Sequence, residues 1–243
     1  MHTDRIKAMG LQSRRALLGS LYFEQLYDRT DFINDAAIDT ATWVLGHENF
    51  VNWSKWSFGP GSRSLLWIKG KPGSGKSILM KKTLSNVKLQ NSALGLFQTL
   101  IHVLLTQDKS LVSAFIPVYR KRCAAHEGQW KWHEEELREF FKLAYSGKYP
   151  GIKNAVVMID ALDEVRSKTY DEAYRVAQDL VHFFKTLTAH GKLKVCLSSR
   201  HFPNIRVADC DQVVVEDFNK NDIISSSRGS FPTLKTLPEP IDL

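Results

Sequence analysis

The chain has 243 residues, 43% of them hydrophobic and 24% charged, and 33 Lys and Arg against 26 Asp and Glu give it a net charge of +7. That length buries one large core or two small ones, and no apolar run approaches the roughly 18 residues of a membrane span. The basic clusters (Lys81-Lys82, Arg120-Lys121-Arg122, Lys192 with Lys194) are short and lack interleaved aromatics, so the charge reads as a solvated surface and not as a nucleic-acid footprint.

The start, Met1 to Lys7, has no apolar stretch that reads as a signal peptide. Three cysteines, Cys123, Cys196 and Cys210, lie far apart with no C-x-x-C pair. Such an odd, sparse set argues against a disulfide framework and for a reducing compartment, by default the cytoplasm. Leu17-Leu18, Leu21, Phe23 and Leu26-Tyr27 recur at helical spacing and predict a first helix. Asp31 or Asn34 is placed to cap a second, running through Ile38, Trp43, Val44 and Leu45. His47 to Trp56 is a short aromatic segment. Its Phe50, Trp53 and Trp56 are expected in a core, although tryptophans also stack on adenine. Gly59-Pro60-Gly61-Ser62 is a loop and closes a helical N-terminal segment, residues 1–62.

The apolar run Leu65-Leu66-Trp67-Ile68 then leads into Gly70-Lys71-Pro72-Gly73-Ser74-Gly75-Lys76-Ser77, which spells G-x-x-x-x-G-K-S. A strand delivers a glycine-rich loop, and the loop opens a helix at Lys76. Successive backbone N–H groups there point into one concavity where phosphate oxygens accept from them. Lys76 is placed to reach the β- and γ-phosphates, and the Ser77 hydroxyl to ligate Mg²⁺.

The helix so opened is predicted to run to about Val87. Asn91 or Ser92 caps the next, through Leu94, Leu96, Phe97, Leu100, Ile101, Leu104 and Leu105. A third spans roughly Leu111 to Cys123, and a fourth follows Trp130, Trp132 and Glu134-Glu135-Glu136 and ends near Ala144. Asn154 to Asp160 is a continuous apolar run ending in an acid, the pattern of a strand buried on both faces. A charged amphipathic helix runs from about Tyr170 to Ala189, Lys194 to Arg200 is another buried strand, and Gln212 to Glu216 is a further candidate. Strands alternating with helices predict an α/β fold with a mainly parallel sheet. The tail from residue 223, rich in Ser and Pro, reads as disordered.

Ligands of parallel α/β sheets gather at the carboxyl ends of the strands. Asp160 ends its strand on that rim, where a carboxylate holds a phosphate-bound Mg²⁺ directly or through water. Asp163 or Glu164 is placed to orient or deprotonate an attacking water. Arg200 ends the next strand, where it is positioned to sense the γ-phosphate and stabilise charge as the bond breaks. Asn219-Lys220-Asn221-Asp222 matches the guanine-reading N-K-x-D pattern, but no D-x-x-G accompanies it, since Asp160 is followed by Ala161-Leu162-Asp163. The histidines are scattered without a metal-ligand spacing, and no Ser-His-Asp or Cys-His set can be placed.

These motifs resemble the NACHT class of STAND nucleotide triphosphatases, especially the nephrocystin-3-like N-terminal domain of fungal receptor-like proteins. The likeness rests on Leu66 to Ser77, on Met158 to Glu164 with its small residue after the first acid, on Leu197 to Ile205, and on Thr42 to Leu45 with Trp53. It implies a three-layer P-loop NTPase core over residues 63–222, preceded by the helical segment. It also implies ATP (or GTP) with Mg²⁺ as cofactors, slow hydrolysis used as a switch, and self-association or a signalling partner. By the same resemblance Gly70, Pro72, Gly73, Ser74, Gly75, Lys76 and Ser77 hold nucleotide, Ser77 and Asp160 hold the metal, Asp163 or Glu164 acts on water, and Arg200 reads nucleotide state. Two departures stand out. Ser85 to Asn91 is too short and polar for the apolar strand the family places there, which would leave the Asp160 strand unpaired on one side. The tail, residues 223–243, stands where the family continues into helical domains, so a fragment or a mis-spliced product is expected. A non-catalytic interaction module that keeps the fold, and a small-molecule kinase on the same core, are the alternative readings.

Overall fold

The computed structural model describes residues 2–22, 41–56, 64–83, 92–126, 130–148, 151–164, 169–201 and 210–219. Four strands, β1 (Leu65–Lys69), β2 (Ala155–Ile159), β3 (Leu193–Ser199) and β4 (Asp211–Val214), form one sheet in the order β2-β3-β1-β4. Every pairing is parallel; Trp67 lies opposite Leu197 on one side and Gln212 on the other, and Val157 lies opposite Val195. All the carboxyl ends therefore share one rim. Burial on both faces explains why β1 opens as a continuous apolar run, Leu65 to Ile68, and not an alternating one, and β3 is buried at every residue.

Alternation along each strand divides the core in two. Leu65, Trp67, Val157, Ile159, Leu193, Val195 and Leu197 face one layer of helices. That layer comprises α1 (His2–Leu21), α5 (Ala93–Gln107), α6 (Lys109–His126), α7 (Glu134–Tyr145) and α8 (Tyr170–Thr188). Leu66, Ile68, Met158, Cys196 and Val213 face the other, built from α2 (Trp43–Gly46), α3 (Glu48–Ser54) and α4 (Lys76–Thr83). The result is a three-layer α/β arrangement.

The helices match the expected pattern closely. The side chain of Ser92 caps α5 by accepting from the Gly95 amide at 3.1 Å. α6 and α7 cover the predicted third and fourth helices, and α8 ends one residue short of Ala189. The helix read through Ile38 to Leu45 is a correction. Its described part begins only after Ala41, at φ +61°. It then stops at His47, whose extended backbone starts α3 and whose Nδ1 accepts from the Asn49 amide at 3.1 Å. Phe50 and Trp53 are buried as expected, but Trp56 is 40% exposed. Phe23 to Ile38 with the caps at Asp31 and Asn34, the stretch from 84 to 91 and the tail lie outside the described residues. The last strand is shorter than Gln212–Glu216, because the chain turns into a 3-10 helix at Val215–Asp217.

Candidate functional site

β1 is pinned to its neighbours right up to its exit. The Gly70 amide donates to the Ser199 carbonyl at 3.2 Å, and the indole Nε1 of Trp67 donates to Ser199 Oγ at 2.9 Å. The chain then makes the turn that its glycines allow. Gly73 and Gly75 sit at φ +73° and +91°, in the left-handed region that side chains with a Cβ rarely enter. At Gly70 the reason for glycine is room: a Cβ there would lie 2.5 Å from Ser74 Oγ and 3.3 Å from Val215 Cβ. α4 begins at Lys76, and the Leu79 amide donates to Gly75 O at 3.0 Å. Helix geometry leaves the preceding amides of that first turn without acceptors inside the helix.

Pro72, Gly73, Ser74, Gly75, Lys76, Ser77 and Ile78 line a cleft of about 340 Å³ together with Asp160, Ala161, Asp163, Glu164 and Arg200. Every site residue read from the sequence is thus at this one cleft, except Gly70, which lies behind the loop. Lys76 Nζ is folded onto its own loop and donates to the carbonyls of Gly70 and Lys71, both at 2.8 Å. Burial lowers its pKa below the ordinary 10.5, against the pull of Asp163, Glu216 and Asp160, and Arg200 adds to the lowering.

Asp160 is 6% exposed. Ser198 Oγ, wholly buried on β3, donates a short hydrogen bond to Asp160 Oδ1 and accepts from the Ala161 amide at 2.9 Å. Ala161 has φ +58°, a left-handed turn that any residue with a Cβ adopts at a cost, and it redirects the chain after the acid. The turn runs into a 3-10 helix, Leu162–Glu164, that carries the acidic pair back to the cleft. Both oxygens of Asp163 are taken by one residue: Oδ1 accepts from the Arg200 amide at 3.0 Å, and Oδ2 faces Arg200 Nε at 3.1 Å. Glu164 Oε1 accepts from Nη2 of the same arginine at 3.2 Å.

The described part of the chain therefore brings together a glycine loop at a helix N-terminus, a buried carboxylate across from it and an arginine clasped to two acids. The family model for "Nephrocystin 3, N-terminal" matches residues 39–200, spanning the loop, the acidic strand and β3 to its last residue. The chain belongs to the nephrocystin 3 N-terminal family. Among curated relatives it is similar to the vegetative incompatibility protein HET-E-1 of Podospora anserina, at 26% identity over 69% of this chain. It spans only 13% of that protein's length.

Sequence reading missed four contributors to this site. Ser198 and Ser199 looked like ordinary strand residues, and their hydroxyls are functional in the packing only because β3 lies between β1 and β2. Glu216 accepts a short hydrogen bond from the Lys71 amide, and Asn219 Nδ2 donates to the Ser74 carbonyl at 2.9 Å. Nothing local marks either contact, since each joins residues 145 apart in the chain.

Proposed function

We propose that this chain is a nucleotide-binding switch domain of the NACHT/STAND kind that takes ATP or GTP with Mg²⁺ and hydrolyses it slowly. The observation that carries the reading is the shared cleft: a glycine loop feeding a helix N-terminus on one side and Asp160 on the other. The donor set suits the ligand. Backbone amides and a lysine are what phosphate oxygens require. A carboxylate and a hydroxyl are hard oxygen donors of the kind Mg²⁺ takes when phosphates and water complete its shell. Among the described residues no group of three or more His, Cys, Asp or Glu is arranged to hold a metal alone, which agrees with an ion that arrives with its nucleotide.

On this reading the amides of the loop and of the first turn of α4 cradle the β-phosphate. Lys76 leaves the carbonyls of Gly70 and Lys71 for the β- and γ-phosphates. Ser77 and Asp160 hold the ion, with Ser198 fixing the carboxylate. A bound Mg²⁺ supplies neutralisation of phosphate charge. Asp163, engaged through both oxygens, anchors Arg200. Glu164, 39% exposed at its side chain, orients the water. Arg200, 48% exposed, turns to the γ-phosphate. The name of the Podospora relative fits a signalling role, with a partner protein or a second copy reading the nucleotide state, in a reducing, cytoplasmic setting. Among the described residues no helix is long and apolar enough to cross a membrane.

Isothermal titration of the folded chain with Mg-ATP and Mg-GTP tests the proposal. Saturable binding to one site, lost in Lys76→Ala, is expected; no heat from either nucleotide in a chain shown to be folded would overturn it.

A further inference from the structure

The 3-10 turn after β4 touches the phosphate loop at both ends of its bend. Glu216 Oε1 accepts from the Lys71 amide at the loop's entry, and Asn219 Nδ2 donates to the Ser74 carbonyl near its apex. Val215 lies beneath, where a Cβ at position 70 would meet its Cβ at 3.3 Å. The amide of Asn219, which a guanine-reading pattern would direct at a base, is thus engaged with the loop itself.

The turn is itself fastened to the second layer. Phe218 stacks on Trp43 of α2, with ring centroids 5.1 Å apart, and His47 meets its edge at 4.8 Å. On α3, Asn49 Nδ2 donates to the Gln212 carbonyl on β4 at 2.8 Å. His201, the residue after Arg200, lies 3.4 Å from Glu216 Oε2. The amide of Lys71 and that histidine, among others, hold the Glu216 carboxyl below the usual range although partial burial works the other way, so the charged acceptor persists at neutral pH.

We infer that the Val215–Asn219 turn is a brace that sets the shape of the phosphate loop, with Glu216 and Asn219 as positioning residues, and that it ties the loop to the α2–α3 layer. The physical reason is economical. A loop with two left-handed glycines has many conformations when it is untethered, and the cradle works only when its amides converge. Fixing one amide near the entry and one carbonyl near the apex removes most of that freedom before any ligand arrives, which preserves affinity. The consequence for binding rests on the nucleotide reading above; the consequence for the loop does not.

The test uses the whole chain without nucleotide, with hydrogen exchange followed at residues 70–76. Asn219→Ala and Glu216→Ala are expected to speed exchange in that loop by about fivefold or more, while β1 and α5 keep wild-type protection. Glu216→Gln, which keeps an oxygen for the Lys71 amide, is expected to behave as wild type. In a second arm, Asn219→Ala is expected to weaken Mg-ATP binding about tenfold, mainly by faster release. Unchanged loop exchange in both alanine variants, or equal loosening in Glu216→Gln and Glu216→Ala, would overturn the brace. If the wild type binds no nucleotide, the functional proposal fails while the exchange arm still decides this one.

Discussion

Ser198 carries more than its place in a buried strand suggests. Its hydroxyl is donor to Asp160 and acceptor from Ala161 at once, so Ser198→Ala strands a carboxylate oxygen and a backbone amide together. We expect a loss of about 1–3 kcal/mol in stability. We also expect a severalfold rise in the Mg²⁺ concentration needed for half-maximal nucleotide binding, read by titrating Mg²⁺ at fixed nucleotide. A stability loss with an unmoved Mg²⁺ midpoint would confine Ser198 to the core. Its neighbour Ala161 sits at φ +58°, a conformation that costs an L-residue about 1–2 kcal/mol. Ala161→Gly is therefore expected to leave the thermal midpoint level or slightly raised, and Ala161→Val to lower it, because β-branching makes the same turn harder. Lys76 gives a pH signature. Its pKa is lowered, first by burial, so its cation is lost at a lower pH than that of a solvent-exposed lysine. Nucleotide affinity is expected to fall as pH rises through that lowered value, read by titration at stepped pH, and Lys76→Arg, whose guanidinium stays charged, to flatten that alkaline limb if it still binds.

At the scale of elements, β3 is the hub of the rim. Its last residues, Ser198 and Ser199, and Arg200 just beyond it reach Asp160, Trp67 with Gly70, and the acidic pair in turn. The 3-10 helix Leu162–Glu164 presents two acids to one arginine, and their geometry separates them. Asp163 is 5% exposed at its side chain and doubly engaged by Arg200, whereas Glu164 reaches the same guanidinium from a more open position. Glu164→Gln is expected to keep Mg-nucleotide affinity within about threefold and to lower turnover by about 100-fold or more. Asp163→Asn is expected to disturb affinity as well, since it releases the arginine. Turnover assays beside binding isotherms distinguish the two, and equal loss of both quantities in Glu164→Gln would reject the assignment. The strands and the candidate residues that line the cleft were legible because each is written locally: an apolar run, a glycine loop, an acid at a strand end. Two things were not. The capping of α3 by His47 depends on a ring nitrogen that accepts from the Asn49 amide, outside any helical period. The braces at Glu216 and Asn219 depend on β4 lying beside β1, and adjacency of strands leaves no mark in either segment.

For the molecule as a whole, the cleft lies where three strands end side by side: the loop leaves β1, Asp160 leaves β2 and Arg200 leaves β3. In the order β2-β3-β1-β4, β2 is at one end, and among the described residues it pairs only with β3. Val156 and Ala155 on it are half-buried, and an apolar edge of this kind is the least secured part of a sheet. A ligand that joins the loop to Asp160 links β1 and β2 across β3, and so fastens that edge from the rim. Binding to the folded state alone at 100 times Kd adds about 2.7 kcal/mol. At about 2–4 °C per kcal/mol for chains of 150–250 residues, the thermal midpoint should rise by roughly 5–10 °C in Mg-ATP, and by nothing in Lys76→Ala. The same fastening has a direction. Amides of 155–159 should gain more protection from exchange on adding Mg-nucleotide than those of 211–214, because β4 lies on the far side of β1 and is already held to the loop through Glu216 and Asn219. Equal gains in the two edge strands would mean that the ligand stabilises the fold globally without drawing β2 to the rim.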